Sequence, residues 1–185
     1  MDKKQRIILT MLELVVEQGV HATPMSQVAK EAGVAVGTIY HYFKNKEQII
    51  EEIYSMICQD FGTVLMANVP KEDTFEKQYR VMWLNLYNYF LGNPLAFKFM
   101  EFVGVPPIIN SEIRLKSVMH FNTIRDTFLS AILKKEVRDV HVRLILQMSM
   151  GNVISATRLK FKKELPMTNV QIEDAIKMSW DSIKI

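Results

Sequence analysis

At 185 residues the chain is long enough to bury one sizeable core or two modest ones, and its 49% hydrophobic, 23% charged composition excludes a disordered polymer. The net charge of +3 permits a nucleic-acid partner without demanding one. One cysteine, Cys58, excludes an intramolecular disulfide, and no apolar run approaches the roughly twenty residues that span a bilayer.

The opening residues Met1 to Arg6 are basic, but the amphipathic run behind them carries Glu13 and Glu17. A secretory signal is therefore not expected, and a cytoplasmic location is. Ile8, Met11, Leu12, Val15 and Val16 recur at helical spacing, and Gly19 closes that first helix. Thr23 suits the N-cap of a second helix and Pro24 its first turn. Val28, Ala29 and Ala32 let a neighbouring helix pack close, and Gly33 can take the left-handed conformation that ends the segment. A third helix, roughly Gly37 to Phe43, is too short to be stable alone and must be presented by its neighbours. Asn45 and Gln48 predict a capping box for a fourth helix running to about Asn68, before Pro70. No loop interrupts this fourth helix, so the expected domain boundary lies inside it, dividing residues 1–50 from 51–185.

Asp73 with Glu76 predicts another capping box, opening a helix through Tyr79, Trp83, Tyr87 and Phe90. Gly92-Asn93-Pro94 stops that helix and starts the next. Gly104-Val105-Pro106-Pro107 is the strongest interruption in the chain. A long helix from about Ser111 to Lys135 and another from about Val137 to Glu164 follow. Thr168 and Gln171 box a last helix that runs almost to Ile185. No alternating run suggests a strand. The pattern is all-α, about nine helices.

Two short helices around a glycine-centred turn, the second offering Thr38, Tyr40, His41 and Tyr42, make a helix-turn-helix layout. Three packed helices of any all-α domain would explain the apolar positions, but not aromatic and hydroxyl groups crowded on one exposed seven-residue helix. The segments Ala29-x-x-Ala32-Gly33-Val34, Gly37-Thr38-Ile39-Tyr40-x-Tyr42-Phe43 and Lys46-Glu47-x-x-Ile50 resemble the TetR family of bacterial one-component repressors over the first fifty residues. Tyr42 stands where the family often has histidine, and Ala35 where it often has serine or a larger polar residue. The resemblance implies a three-helix DNA-binding domain followed by a helical ligand-binding and dimerisation domain, with a double-stranded operator as partner. Thr23, Ser26 and Lys46 are then expected at phosphates. Thr38 and Tyr40 are expected at base edges, His41 and Tyr42 on the flanks, and Val36 in apolar contact such as with a thymine methyl.

Between Tyr79 and Phe102 aromatic residues and methionines are dense. They are either plain core or the wall of an apolar small-molecule pocket. The resemblance implies an inducer among these middle helices, with Trp83, Tyr87, Phe90, Phe121, Met148 and Asn152 as candidate contacts and a mostly apolar small molecule as ligand. The stretch from Val140 to Ile154 is apolar over much of a helix circumference, so it is either deeply buried in a monomer or covered by a second chain. The expected arrangement is a homodimer through the last two helices, with Ile145, Gly151, Ile154, Ala156, Ile172, Ile176 and Trp180 at the interface.

Catalytic patterns are weak. His21, His41, His120 and His141 include no pair at metal-binding helical spacing, one cysteine builds no thiolate site, and no glycine-rich phosphate loop occurs. No enzyme activity, cofactor or metal is expected. The expected function is a ligand-responsive repressor; a ligand-independent DNA binder of the same fold and an all-helical enzyme or lipid carrier are the alternatives.

Overall fold

The structure, a computed structural model, describes residues 1–103, 109 and 111–185. Among these residues every named element is a helix: α1 Lys3–Gln18, α2 Met25–Glu31, α3 Val36–Tyr42, α4 Lys46–Leu65, α5 Phe75–Gly92, α6 Pro94–Phe102, α7 Ser111–Ser117, a 3-10 turn Val118–Phe121, α8 Asn122–Leu133, α9 Val142–Phe161 and α10 Asn169–Ile183. The fold is all-α, as the patterning predicts. The expected interruption at Gly104-Val105-Pro106-Pro107 lies outside the described residues.

Two compact units form: Met1–Gln59 with Asn93–Met119, and Asp60–Gly92 with His120–Ile185. This differs from a simple division at residue 50, because α6 packs against α1 and belongs with the N-terminal unit. The boundary falls inside α4, between Gln59 and Asp60.

In the N-terminal unit, the Asp2 carboxylate caps α1 by accepting the Gln5 N–H at 2.7 Å. Gly19 ends the helix with φ 86°, where a side chain would be strained. Ile7, Ile8, Met11, Leu12 and Val15 form the buried stripe. α2 begins one residue later than expected: Pro24 is the N-cap, and the Thr23 hydroxyl instead donates back to the Gly19 carbonyl at 2.8 Å. At the start of α4, Asn45 Oδ1 accepts the Gln48 N–H at 2.9 Å, and Gln48 Oε1 accepts the Lys44 N–H at 2.7 Å. The box therefore reaches one residue further back than the reciprocal pair the sequence suggests.

In the C-terminal unit, α5 packs against α9 and α10, and α8 against α9. One face of α5 buries Phe75, Tyr79, Trp83, Leu86, Tyr87 and Phe90. The Thr168–Gln171 box on α10 forms as expected. Three expectations change. Asp73 Oδ1 takes the Thr74 N–H and its other oxygen the Lys77 ammonium, so α5 starts at Phe75 without the Asp73–Glu76 box. The helix expected from Ser111 to Lys135 breaks into α7, the 3-10 turn and α8; at the break the His120 carbonyl faces Gly62 of α4 so closely that an added Cβ would lie 2.2 Å from the oxygen. α9 starts at Val142 rather than near Val137, because Val137 forms an isolated antiparallel bridge with Lys184 and the Arg138 N–H bonds the Ile183 carbonyl at 2.8 Å.

Candidate functional site

The α2–α3 turn is closed by backbone bonds. The Val34 N–H meets the Ala29 carbonyl at 2.9 Å and the Gly33 N–H the Lys30 carbonyl at 3.2 Å, with Gly33 at φ 64°. α3 is too short to hold itself, and two apolar side chains hold it instead: Ile39 and Phe43 are buried. The opposite side carries Tyr40, 52% exposed, with Val36, His41 and Tyr42 also exposed and Thr38 half-buried. The His41 and Tyr42 rings meet edge-to-face at 5.3 Å. The structure thus brings Val36, Thr38, Tyr40, His41 and Tyr42 together on one short helix. Ser26 is exposed in the first turn of α2.

Two expected phosphate ligands have other partners. Thr23 is wholly buried and its hydroxyl is committed to Gly19, so the expectation of a phosphate contact is corrected: no surface of this side chain is left to meet one. Lys46 is half-buried, and its ammonium donates to the Val20 carbonyl at 2.8 Å, leaving two further N–H groups. Sequence reasoning missed the Gln18 side chain. Its amide donates to the Ala22 carbonyl at 3.1 Å and to Gln27 Oε1 at 2.9 Å, and Gln27 in turn donates to Glu31 at 2.9 Å. This chain fixes the α1–α2 turn and the face of α2. Nothing in the spacing of two glutamines nine residues apart announces it. Lys4 forms an ion pair with Glu52 and lies 5.7 Å from the centre of the Phe43 ring, tying α1, the end of α3 and α4 together. Exposed Lys30 and Lys44 flank α3 as well; neither has a pattern that singles it out in the sequence.

Within the C-terminal unit, Trp83, Tyr87 and Phe90 are all buried on one face of α5. The Trp83 and Tyr87 rings stack at 5.3 Å and 27°, and Trp83 Nε1 donates to Asn152 Oδ1 at 2.9 Å. Phe90 meets Phe61 edge-on at 5.1 Å. Burial raises the Tyr87 phenol above its ordinary range, so it stays protonated. Phe121 is half-buried. Met148 is 60% exposed, which corrects its expected place beside a ligand: it lies on the outer face of α9 with Leu144, Gly151 and Ser155.

The expected interface residues divide in the same way. Ile145, Ala156, Ile176 and Trp180 are buried inside their own unit, so they are core and not interface. Trp180 packs on Phe75 at 6.0 Å and Tyr79 at 5.6 Å. Ile154 and Ile172 are half-exposed and Gly151 is exposed. Helical spacing marked which residues are apolar but not which of two apolar faces points inward.

Residues 7–53 match the family model described as bacterial regulatory proteins, tetR family, and residues 74–184 match that of a tetracyclin repressor-like C-terminal domain. An HTH-type transcriptional regulator from Haemophilus influenzae is 34% identical over 93 residues, half of this chain and half of that protein. The chain spans about half the length, or less, of the curated relatives it matches. Among solved structures, a TetR-family regulator from Shewanella sp. PV-4 superposes with TM-score 0.93 at 24% identity, over 100% of both chains. The Bacillus subtilis regulator FadR in complex with stearoyl-CoA superposes with TM-score 0.75 at 21% identity, over 95% of this chain and 96% of that one.

Proposed function

This chain belongs to the TetR family of bacterial regulatory proteins and is a DNA-binding transcriptional regulator, and from that premise we propose that it acts in the cytoplasm as a homodimeric repressor released by a mostly apolar small molecule. The exposed polar and aromatic face of α3, held from behind by Ile39 and Phe43, carries the proposal. Tyr40 and Thr38 read base edges in the major groove, Val36 supplies apolar contact, and His41 and Tyr42 meet the flanks. Ser26 and the remaining N–H groups of Lys46 hold phosphates on either side.

Two such heads reach successive major grooves only if two chains associate. The outer face of α9 offers Leu144 and Met148 with the small residues Gly151 and Ser155, and α10 offers Val170 and Met178, 71% and 70% exposed. That apolar face with small residues suits close helix approach by a second copy.

The ligand occupies the aromatic interior beside Trp83 and Tyr87. The likeness to a regulator solved with stearoyl-CoA supports an acyl compound. Binding acts on the reading head through α4, which is continuous across Gln59 and Asp60. Reciprocity requires that the ligand loosen DNA by the same factor by which DNA loosens the ligand. An electrophoretic shift with DNA upstream of the chain's own gene, with and without stearoyl-CoA, tests the proposal. Retardation that the acyl compound relieves is the expected result. Equal binding to random DNA overturns it.

A further inference from the structure

Tyr79 and Tyr87 lie on one face of α5, both buried, and their hydroxyls have different fates. Tyr79 Oη is 2.6 Å from Ser179 Oγ. Tyr87 Oη is shielded from solvent and meets no hydrogen-bond partner. A buried hydroxyl left without a partner loses its hydration with nothing in return, a loss that phenylalanine at the same position would avoid. The residue on which Tyr87 stacks is by contrast fully engaged, Trp83 through Asn152.

The charges around this point are informative. α5 has no charged residue between Arg80 and its end at Gly92, and α9 has none between Arg143 and Arg158. The charged residues that α5 does carry, Glu76, Lys77 and Arg80, are exposed, and Arg80 is paired with Glu173. A carboxylate brought beside Tyr87 would meet a phenol, an indole and an amide from these two helices but no cation, and burying an unpaired charge is costly.

We infer that Tyr87 Oη is the polar anchor of the ligand site, donating its hydrogen bond to a neutral acceptor (the carbonyl of an ester, thioester or ketone) on an otherwise apolar ligand, and that the site discriminates against the corresponding free acid. The inference rests on the ligand-released reading above and deepens it. The protonated phenol is the donor, the carbonyl oxygen is the acceptor, and the acyl chain lies along the aromatic face.

The test compares stearoyl-CoA, methyl stearate and stearate as probes on the full chain and on Tyr87→Phe, reading ligand affinity by intrinsic tryptophan fluorescence and ligand-free melting by circular dichroism. The wild type is expected to bind the ester and thioester at least tenfold more tightly than stearate. Tyr87→Phe should weaken ester and thioester binding about fivefold to tenfold, leave stearate nearly unchanged, and melt no lower than the wild type without ligand. Unchanged ester affinity in Tyr87→Phe overturns the anchor while leaving the ligand-released repressor standing. A lower ligand-free melting temperature also overturns it, because the hydroxyl would then already have a partner. Failure of all three probes to bind the wild type overturns the acyl reading and the anchor with it.

Discussion

Lys46, the first residue of α4, donates its ammonium to the carbonyl of Val20 at 2.8 Å, so the start of α4 is clamped to the α1–α2 turn. The same ammonium has two N–H groups left for a phosphate. Lys46→Ala should therefore do two separable things. Stability should fall by about 1 kcal/mol with the lost hydrogen bond. Binding to operator and to random DNA should weaken alike, with the salt slope reduced by about one unit. Salt titrations of DNA affinity together with melting check this; a stability loss with an unchanged slope would make Lys46 a clamp only.

Tyr40 is the more exposed of the two α3 tyrosines, with its neighbour Ile39 wholly buried. Tyr40→Ala should leave melting unchanged and lower operator affinity by about 1–3 kcal/mol while sparing random DNA. Equal loss on both DNAs would place Tyr40 on the backbone instead.

Gly62 lies where an added Cβ would be 2.2 Å from the His120 carbonyl oxygen and 3.0 Å from its carbon. Alanine normally favours a helix over glycine by about 1 kcal/mol. Here the obstacle is backbone, which cannot swing away as a side chain can. Gly62→Ala should thus destabilise by about 1–3 kcal/mol and shift α4 against the 3-10 turn. If α4 carries the ligand signal, operator affinity measured without ligand should fall as well.

Tyr54 and Cys58 are buried one turn apart on α4. Burial first, and then Cys58, push the Tyr54 phenol up to about 12 from its ordinary 10, while burial raises the Cys58 thiol. A raised acid of this kind stabilises the fold fully below its unfolded pKa and loses that contribution as pH rises towards the folded value. Stability should accordingly fall by about 2–3 kcal/mol between pH 10 and pH 12 from Tyr54 alone. Tyr54→Phe should flatten that part of the alkaline limb in urea titrations.

The proposed second-copy face makes a prediction opposite to the one helical patterning suggests. Met148→Glu, on the outer face of α9, should produce folded monomers in sedimentation and weaken operator binding. Ala156→Glu should unfold the chain instead, because Ala156 is buried in its own unit and the carboxylate would have no partner. Folded monomers from Ala156→Glu would reverse the assignment of faces.

Local sequence determined the elements whose signals lie within one turn. The Thr168–Gln171 box and the left-handed Gly33 each need only neighbours in the chain and appear as read, and of the first-helix stripe Ile8, Met11, Leu12 and Val15 are buried while Val16 is half-buried. The helix-turn-helix is legible for the same reason, since Ile39 and Phe43 alternate with exposed residues over a single short helix. Tertiary structure decided what depends on a partner far away in sequence. Thr23 faces Gly19 rather than a phosphate, the 3-10 turn interrupts α7 and α8 where Gly62 meets His120, and residues after Val137 pair with the end of α10 instead of beginning α9. The division of α9 into an inner face with Ile145 and Ala156 and an outer one with Leu144 and Met148 belongs to this second class. Both faces are apolar, so periodicity marks a helix there, and only packing against α5 decides which side becomes core.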